Sequence, residues 1–243
     1  MTMKKHVPNT ITCCNLISGC IATYFAFQAN FQLAFAFIII GAVFDFFDGF
    51  AARLLHVSSP VGKELDSLAD DITFGFAPAA IVFSMLRALL TACGSCAAAC
   101  PVTPYVPYVA FVIAAFSALR LAKFNLDERQ TTSFIGLPTP ANALFWSALA
   151  YKLHCSDLLG ESWMLAILLA GVLLSCWLLV AEIPMFALKF KSYALRDNKL
   201  RYGFMLFSIV MLWVLAVWAI PVIILSYIVC SLVNNAVTES KNI

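Results

Sequence analysis

The chain has 243 residues, of which 63% are hydrophobic and 12% are charged, and its formal net charge is +2. A soluble globular domain is roughly half apolar and about a quarter charged, so this composition excludes an ordinary soluble protein. The small net charge argues against a nucleic-acid partner. Since a transmembrane helix needs about 20 apolar residues, the chain has room for at most about eight spans and no additional soluble domain.

Apolar stretches separated by polar or Pro/Gly-containing breaks predict eight membrane-spanning helices. These cover residues 9–28, 31–53, 66–90, 105–124, 138–154, 162–183, 202–218 and 220–236. The last two share one apolar stretch, Phe204 to Val233, which is interrupted mainly by Pro221, and a single kinked helix there would give seven spans. No internal repeat or flexible linker divides the chain, so we predict one all-α helical bundle, a single membrane domain over residues 1–243.

The Lys and Arg residues predict the orientation of this bundle, because cytoplasmic loops and helix ends are enriched in them. When the spans alternate from a cytoplasmic N-terminus, 13 of the 15 Lys and Arg residues lie on the inner side, and only Arg87 and Lys152 lie outside. Lys4 and Lys5 precede the first span without a small-residue cleavage site, so we expect that span to be retained. The prediction is a multi-pass protein of the inner (plasma) membrane with a cytoplasmic N-terminus.

Residues 45–71 contain six of the 13 acidic residues. Asp45 and Asp48 are three apart near the end of the second span, and Asp66 and Asp70 are four apart at the start of the third, so each pair shares one helix face. A short connection makes the two helices antiparallel neighbours, which brings four carboxylates together beside the cytoplasmic face. Ionised carboxylates there would repel each other unless cations neutralise them or several are protonated. Mg²⁺ and Mn²⁺ prefer such oxygen ligands.

The same acids have two other interpretations. They could be ordinary interfacial charges, solvated or paired with Arg53 and Lys63, or they could form a transport path for cations. A transport path would distribute its acids across the membrane depth, whereas these acids gather at one face. Gly49 and Ala52 lie between them and leave the backbone accessible to a bulky ligand. The pattern therefore favours a metal site that receives an anionic ligand.

This segment resembles the signature of the CDP-alcohol phosphatidyltransferase family, D-x2-D-G-x2-A-R-x8-G-x3-D-x3-D, at all eight fixed positions. In this sequence they are Asp45, Asp48, Gly49, Ala52, Arg53, Gly62, Asp66 and Asp70. The resemblance implies a membrane enzyme that transfers a phosphatidyl-type group from a CDP-linked substrate to an alcohol and releases CMP. It implies that the four aspartates bind two metal ions, Mg²⁺ or Mn²⁺, and that Asp70 is also the catalytic base. It assigns the nucleotide diphosphate to Gly49, Ala52, Arg53 and Gly62.

Three further segments are similar to those of the bacterial integral-membrane phosphatidylserine synthases within this family. They are PNTITCCNLISG (8–19), LRLAKFN (119–125) and SFIGLPTPANA (133–143). The similarity implies CDP-diacylglycerol and L-serine as substrates, phosphatidylserine as product, a surrounding of membrane lipids, and a homodimer. Glycerol 3-phosphate or inositol phosphate stays open as an alternative acceptor. Lys123 departs from the expected Arg, and Lys lacks the planar fork that binds a carboxylate at two points.

The acceptor site is predicted from the last two of these segments. Arg120 and Lys123 lie three apart at the inner end of the fourth span and are candidates for binding the serine carboxylate or the lipid phosphate. Positive-inside topology alone is the alternative explanation for both. Gly136 and Pro138 interrupt the helix at the membrane entrance, where irregular backbone usually lines a polar cavity. An ordinary loop is the alternative there.

A few polar residues are left without a firm assignment. Asn142 could form a hydrogen bond across helices or contact the substrate. On a helix, Asp71 points about 100° away from Asp70, and Glu64 falls in the loop between spans. Both are therefore expected to be solvated or paired. A C-x2-C-x3-C pattern lies in the outer loop at residues 93–100, where a disulfide is an alternative to unpaired thiols.

Overall fold

The computed structural model describes residues 3–92, 103–127, 134–156, 162–185 and 198–241. Within these ranges the fold is helical, and two short strands are the exceptions. The helices are α1 (Met3–Phe27), α2 (Phe31–Leu54), α3 (Pro60–Asp70), α4 (Ala77–Ala92), α5 (Val112–Leu126), α6 (Thr139–His154), α7 (Ser162–Val180), α8 (Lys199–Leu215) and α9 (Ala219–Lys241). A π-helical turn (Asp71–Phe76), two 3₁₀ segments (Thr103–Phe111 and Ala216–Trp218) and strands β1 (Phe134–Ile135) and β2 (Pro184–Met185) connect them. The all-α prediction is confirmed.

Six helical stretches in the described residues are long and apolar enough to cross a membrane, so the chain is a multi-pass membrane protein. They are His6–Phe27, Phe31–Leu54, Pro60–Thr91, Thr103–Leu126, Trp163–Val180 and Arg201–Ala236. Eight spans were predicted, and the prediction departs from these six stretches in two places. The predicted span 138–154 is a helix, but α6 has only 16 residues, fewer than such a span needs. The predicted spans 202–218 and 220–236 fall within one continuous helical stretch.

That last stretch is nevertheless a hairpin of two helices. In a straight helix, Phe204 and Tyr227 would be separated by about 35 Å, yet their ring centroids lie 5.9 Å apart. The chain reverses at the second 3₁₀ segment, where Ala216 has a φ of +48°, a left-handed conformation that is rare in residues other than glycine. Helices α8 and α9 are therefore antiparallel neighbours, as predicted, and a single kinked helix is excluded. Pro221 lies inside the first turn of α9 and not at the reversal.

The third span is the central element of the bundle. In this span 72% of the most apolar stretch is buried, against 17–39% in the other five. Its first helix begins at a cap in which Ser59 Oγ accepts a hydrogen bond from the Gly62 backbone N–H (3.0 Å), with Pro60 in the first turn. This early start is a correction for Glu64, which was expected in the loop but lies within α3, where its side chain is exposed.

Small residues allow α1 and α2 to pack closely against the π-helical turn. A Cβ atom added at Gly19 or Gly41 would collide with Thr73. Thr73 is fully buried, and its hydroxyl donates a hydrogen bond to the backbone carbonyl of Asn15 (3.0 Å). This junction fixes the depth of the third span relative to the first two. It lies directly behind the aspartates of α2 and α3.

The two strands join the segments that precede α6 and follow α7. Phe134 pairs with Met185 in the antiparallel sense, and the Gly136 N–H donates to the Ile183 carbonyl (2.9 Å). Gly136 has a φ of +75°, and a Cβ there would lie 2.8 Å from the carbonyl oxygen of Leu179. The predicted interruption of helicity at this point is confirmed. Here glycine is required by both its backbone conformation and the close approach of α7.

Replacing Gly136 with Ala is expected to lower the stability of the protein. The left-handed backbone alone costs about 1–3 kcal/mol in a residue with a Cβ, and the contact with Leu179 adds to that. Thermal unfolding in detergent should therefore begin several degrees lower. The matched control is Gly203→Ala, because Gly203 is helical and a Cβ there meets nothing within 4 Å. Equal melting temperatures for the two variants would contradict this account.

Candidate active site

Three carboxylates converge where α2 and α3 approach each other. One oxygen from each of Asp45, Asp48 and Asp66 lies within 4.8 Å of the other two. Asp48 is only 6% exposed. Asp48 Oδ2 and Asp66 Oδ1 are buried without a hydrogen-bond partner among the described residues. Buried, unpaired carboxylate oxygens are unfavourable, and a divalent cation would satisfy both. An all-oxygen set with several negative charges is the ligand type that Mg²⁺ and Mn²⁺ prefer, so the residues fit such a metal.

Asp70, the fourth predicted ligand, lies beside these three and not among them. Its Oδ1 accepts a hydrogen bond from the side-chain amide of Asn15 (3.2 Å). Its carboxyl group is within hydrogen-bonding reach of Asp45 and close enough to Arg120 for an electrostatic interaction. The structure therefore brings all four aspartates into one neighbourhood but gives Asp70 surroundings that differ from those of the other three.

A cavity of about 250 Å³ opens beside this cluster. Its lining residues come from α1, α2, the following loop and α3: Pro8, Asn9, Thr12, Asp48, Gly49, Ala52, Val57, Ser58, Ser59, Gly62, Lys63 and Asp66. Three of the four residues predicted to contact the nucleotide, Gly49, Ala52 and Gly62, are in this group. The fourth, Arg53, is exposed and does not line the cavity.

The two glycines of this cavity have different surroundings. A Cβ added at Gly49 would meet nothing within 4 Å, so this part of the α2 backbone is open to a ligand. A Cβ at Gly62 would lie 3.0 Å from both Asn9 Oδ1 and Ser59 Oγ. Gly62 thus also allows the start of α3 to pack against α1. Its predicted contact with the diphosphate stays a prediction.

Three residues of the first span reach the site without having been singled out from the sequence. Asn9 and Thr12 line the cavity, and Asn15 contacts Asp70. A signal was present, because polar residues at every third position of an otherwise apolar span occupy neighbouring positions on one side of a helix. The resemblance drew attention to this segment as a whole but assigned no function to its members.

A second cavity, of about 410 Å³, contains the two predicted acceptor-binding cations. Among the described residues, its charged lining consists of Arg120, Lys123, Asp127 and Glu182, two of each sign. Arg120 is 7% exposed, its Nη1 donates to Thr139 Oγ1 (3.2 Å), and its guanidinium lies 5.6 Å from the centre of the Phe124 ring. Arg120 Nε is buried without a partner among the described residues. These contacts hold the guanidinium at the cavity, and its role in binding the acceptor stays a prediction.

The other two predicted acceptor residues lie nearby but do not line either cavity. Gly136 is buried against the last turn of α7, and Pro138 precedes the first residue of α6. Their neighbour Ile135 is the lining residue from this segment. Both therefore hold the segment in place, and contact with a substrate stays a prediction for them.

Several polar atoms deeper in the bundle have no hydrogen-bond partner in the described part of the chain. Asn142 is 1% exposed and both ends of its amide are unpaired, so the cross-helix bond considered from the sequence is not found there. Asp71 Oδ1 and Ser117 Oγ are also buried and unpaired. A Cβ at Gly75 would lie 2.6 Å from Asp71 Oδ1. The expectation that Asp71 is solvated or paired is therefore wrong for this oxygen.

The cysteine pattern at residues 93–100 falls outside the described residues. Among the described residues, Arg87 lines a separate cavity with Thr103 and Tyr108. Lys152 lies near the end of α6, beside Tyr151.

The sequence has relatives with assigned names. A protein of Bacillus subtilis is 35% identical over 136 residues, which are 56% of this chain and 70% of that protein. One of Saccharomyces cerevisiae is 34% identical over 176 residues, 62% of this chain and 55% of that protein. One of Mycobacterium tuberculosis is 31% identical over 194 residues, 74% of this chain and 60% of that protein. All three are named CDP-diacylglycerol–serine O-phosphatidyltransferase. The yeast and mycobacterial matches thus span less than two thirds of those proteins.

A match of wider extent comes from the family described as CDP-alcohol phosphatidyltransferase, which covers residues 5–233. This range includes the aspartate cluster, both cavities and most of the hairpin of α8 and α9. The eight signature residues, the convergence of three of their carboxylates and the open backbone at Gly49 lie within it. On this evidence the chain belongs to the CDP-alcohol phosphatidyltransferase family.

Proposed function

We propose that this protein is a CDP-diacylglycerol–serine O-phosphatidyltransferase of phospholipid biosynthesis. The names of its relatives support this activity. The structural observation that carries the proposal is the placement of the aspartates between two different cavities. One cavity offers open backbone at Gly49 beside Asp48, and the other presents Arg120 on the side of Asp70. Such an arrangement suits a reaction between a nucleotide-linked lipid and a small charged acceptor.

The nucleotide and diphosphate of CDP-diacylglycerol are assigned to the cavity beside α2. Gly49 and Ala52 would let the nucleotide approach the helix backbone, and Arg53 would reach a phosphate from the rim. Asp45, Asp48 and Asp66 would hold two metal ions, Mg²⁺ or Mn²⁺, together with one oxygen of Asp70. When bound, such ions neutralise a diphosphate and stabilise the oxygen that leaves. The apolar surface of the bundle would keep the acyl chains in the surrounding membrane lipids.

Asp70 is the proposed base. The serine hydroxyl is a weak nucleophile at neutral pH, so it requires a group that accepts its proton as it attacks. The new bond joins the serine oxygen to the lipid-side phosphorus, and the bond between that phosphorus and the oxygen of CMP breaks. The proton passes to Asp70, which must keep one carboxylate oxygen free of metal. The products are phosphatidylserine and CMP.

The charge of the second cavity favours serine over a phosphorylated acceptor. Serine carries one positive and one negative charge, and the cavity presents Arg120 and Lys123 together with Asp127 and Glu182. A phosphate with two negative charges would be repelled by the acids unless more cations surrounded it. Arg129, two residues beyond Asp127 in the sequence, lies outside the described residues. The balance of these four charges therefore supports serine.

We also propose that the protein lies in the inner (plasma) membrane with its N-terminus and aspartate cluster on the cytoplasmic side. The distribution of Lys and Arg in the sequence supports this orientation, and serine and CMP are water-soluble metabolites of the cytoplasm. A homodimer is proposed from the family resemblance alone. Crosslinking in native membranes would test the homodimer. Labelling of single introduced cysteines from either side of the membrane would test the orientation.

The activity is tested by CMP release from the purified protein in detergent. CDP-diacylglycerol is supplied with Mg²⁺ or Mn²⁺ and with serine, glycerol 3-phosphate, inositol phosphate or no acceptor. Serine-dependent CMP release and formation of phosphatidylserine are expected. Release that depends on another acceptor would keep the site and change the substrate. Absence of release with every acceptor would overturn the proposal.

Substituting Gly49 with Ala should weaken the use of CDP-diacylglycerol without affecting the fold. Among the described residues no atom beyond its own helical turn lies within 4 Å of the added methyl group, so the expected collision is with the bound nucleotide. One methyl group in a binding site typically changes specificity by about 10-fold or more. The KM for CDP-diacylglycerol is expected to rise by about that factor, while the melting temperature stays constant. Gly203→Ala, also an open helical glycine, serves as control, and an unchanged KM in Gly49→Ala would contradict the assignment.

A further inference from the structure

A buried amide in the first span directly contacts the proposed base. Asn15 is fully buried in α1, and its Nδ2 donates a hydrogen bond to Asp70 Oδ1 (3.2 Å), 55 residues away in the sequence. An amide is an unusual choice inside an apolar membrane helix, because it must find polar partners there. In the described residues Asp70 is the partner of Nδ2, whereas Asn15 Oδ1 is buried without one.

The surroundings of Asn15 fix the position of its amide. Its backbone carbonyl accepts the hydrogen bond from Thr73, three residues beyond Asp70. On the opposite side, a Cβ at Gly41 would lie 3.0 Å from Asn15 Oδ1, so the α2 backbone packs directly against the Asn15 side chain. The amide is therefore held between α2 and the third span. A side chain confined in this way can orient a neighbouring group and not merely fill space.

We propose that Asn15 is a positioning residue for Asp70, an inference that rests on the proposed function. The amide bonds to Oδ1, which would also be the oxygen shared with the metal ions, and so fixes the plane of the carboxylate. Oδ2 is then left to accept the proton of the acceptor hydroxyl. Arg120 lies near the same carboxylate, so an acceptor bound at Arg120 would present its hydroxyl to a base of defined orientation. Asn15 itself contacts neither substrate in this account. Its effect is expected in the chemical step and not in binding.

The test replaces Asn15 with Leu, which has nearly the same shape but no donor. A misplacement of reacting groups by about 1 Å costs roughly 100-fold in rate, so kcat should fall by about 10- to 100-fold. The KM values for CDP-diacylglycerol and acceptor should change by less than about threefold, since no substrate contact is lost. Ser18→Ala is the matched control. Ser18 is buried one turn further along α1, and among the described residues its hydroxyl bonds only to the Cys14 carbonyl of its own helix (2.8 Å).

A double variant separates positioning from a general structural effect. If Asn15 acts through Asp70, then Asn15→Leu combined with Asp70→Asn should be no slower than Asp70→Asn alone. The inference would be overturned if the kcat losses of the two single variants multiplied in the double variant. An unchanged kcat in Asn15→Leu would overturn it as well. Should the Leu variant fail to fold, the smaller Asn15→Ala also removes the donor without adding an acid, and the same kcat loss is expected. Rates are measured with whichever acceptor supports CMP release, so failure of serine would overturn the proposed substrate and leave this inference testable.

Discussion

Asp70→Asn is expected to lower kcat by about 10³-fold or more, because general-base catalysis typically contributes about 10²- to 10⁴-fold and the amide cannot accept the proton. Asparagine has the size of aspartate, so the packing of α3 against α1 should be preserved. Binding of CDP-diacylglycerol should remain within a few-fold of the unsubstituted protein. The measurements are CMP release under saturating serine and equilibrium binding of the CDP-lipid in detergent.

The control for this experiment is Glu64→Gln. Glu64 lies on the same helix, six residues before Asp70, and its side chain is exposed. The same change of charge and atom type there should leave kcat within about twofold, in line with the small effects of surface substitutions. If Asp70→Asn lost lipid binding and turnover together, Asp70 would be a ligand-binding residue and not the base.

Asp48→Asn should have an equally large effect through a different property, the affinity for metal. Asp48 is the most buried of the three converging aspartates, and one of its oxygens has no partner in the described part of the chain. Even residues that only support metal ligands lower affinity by about 10- to 100-fold when substituted, so loss of a direct ligand should raise the Kd for Mn²⁺ at least about 100-fold. Activity at micromolar Mn²⁺ should fall to background. Electron paramagnetic resonance of free Mn²⁺ measures the affinity directly.

Thermal stability gives an independent reading of the same variant. Without metal, removing one of several neighbouring negative charges relieves repulsion, so Asp48→Asn should melt at a higher temperature than the unsubstituted protein. With Mn²⁺ added, the unsubstituted protein should gain stability because only the folded state binds the ion, whereas the variant should gain little. Equal metal-induced shifts in both proteins would show that the ion does not bind at Asp48.

The helices were predictable because apolar length is a local property of the sequence. All eight predicted segments contain helix, and the ends of the helical stretches lie within six residues of the predicted ones. The early start of α3 depends on the Ser59 cap and Pro60, a signal that a hydropathy pattern does not register. The reversal before α9 depends on a left-handed alanine, and the sequence offers only Pro221 as a marker of it. Whether a helix crosses the membrane also depends on its packing against other helices. Much of α6 is buried in the bundle, and its 16 residues are fewer than an isolated span needs.

The candidate site was predictable to the extent that its residues lie close together in the sequence. Asp45, Asp48 and Asp66 come from two adjacent helices, and their convergence follows from spacing alone. The Asn15 contact with Asp70 crosses 55 residues and depends on Gly19 and Gly41, which have no chemical signal of their own. The described lining of the second cavity includes Glu182, which follows α7 and has no recognisable motif around it. Such features require the tertiary structure.

The number of residues in the π-helical turn at Asp71–Phe76 sets the rotation of α3, which carries Asp66 and Asp70, relative to α4. Within the turn the Ala77 N–H bonds to the carbonyl of Ile72, five residues back. A turn of this kind carries about one residue more than the α-helix it interrupts, and each residue of an α-helix corresponds to about 100° of rotation. Deleting one residue here would therefore restore a regular helix but rotate Asp66 and Asp70 by that angle relative to the buried face of α4. Substitutions in this turn change packing, whereas a change in its length would disassemble the aspartate cluster without altering any of its members.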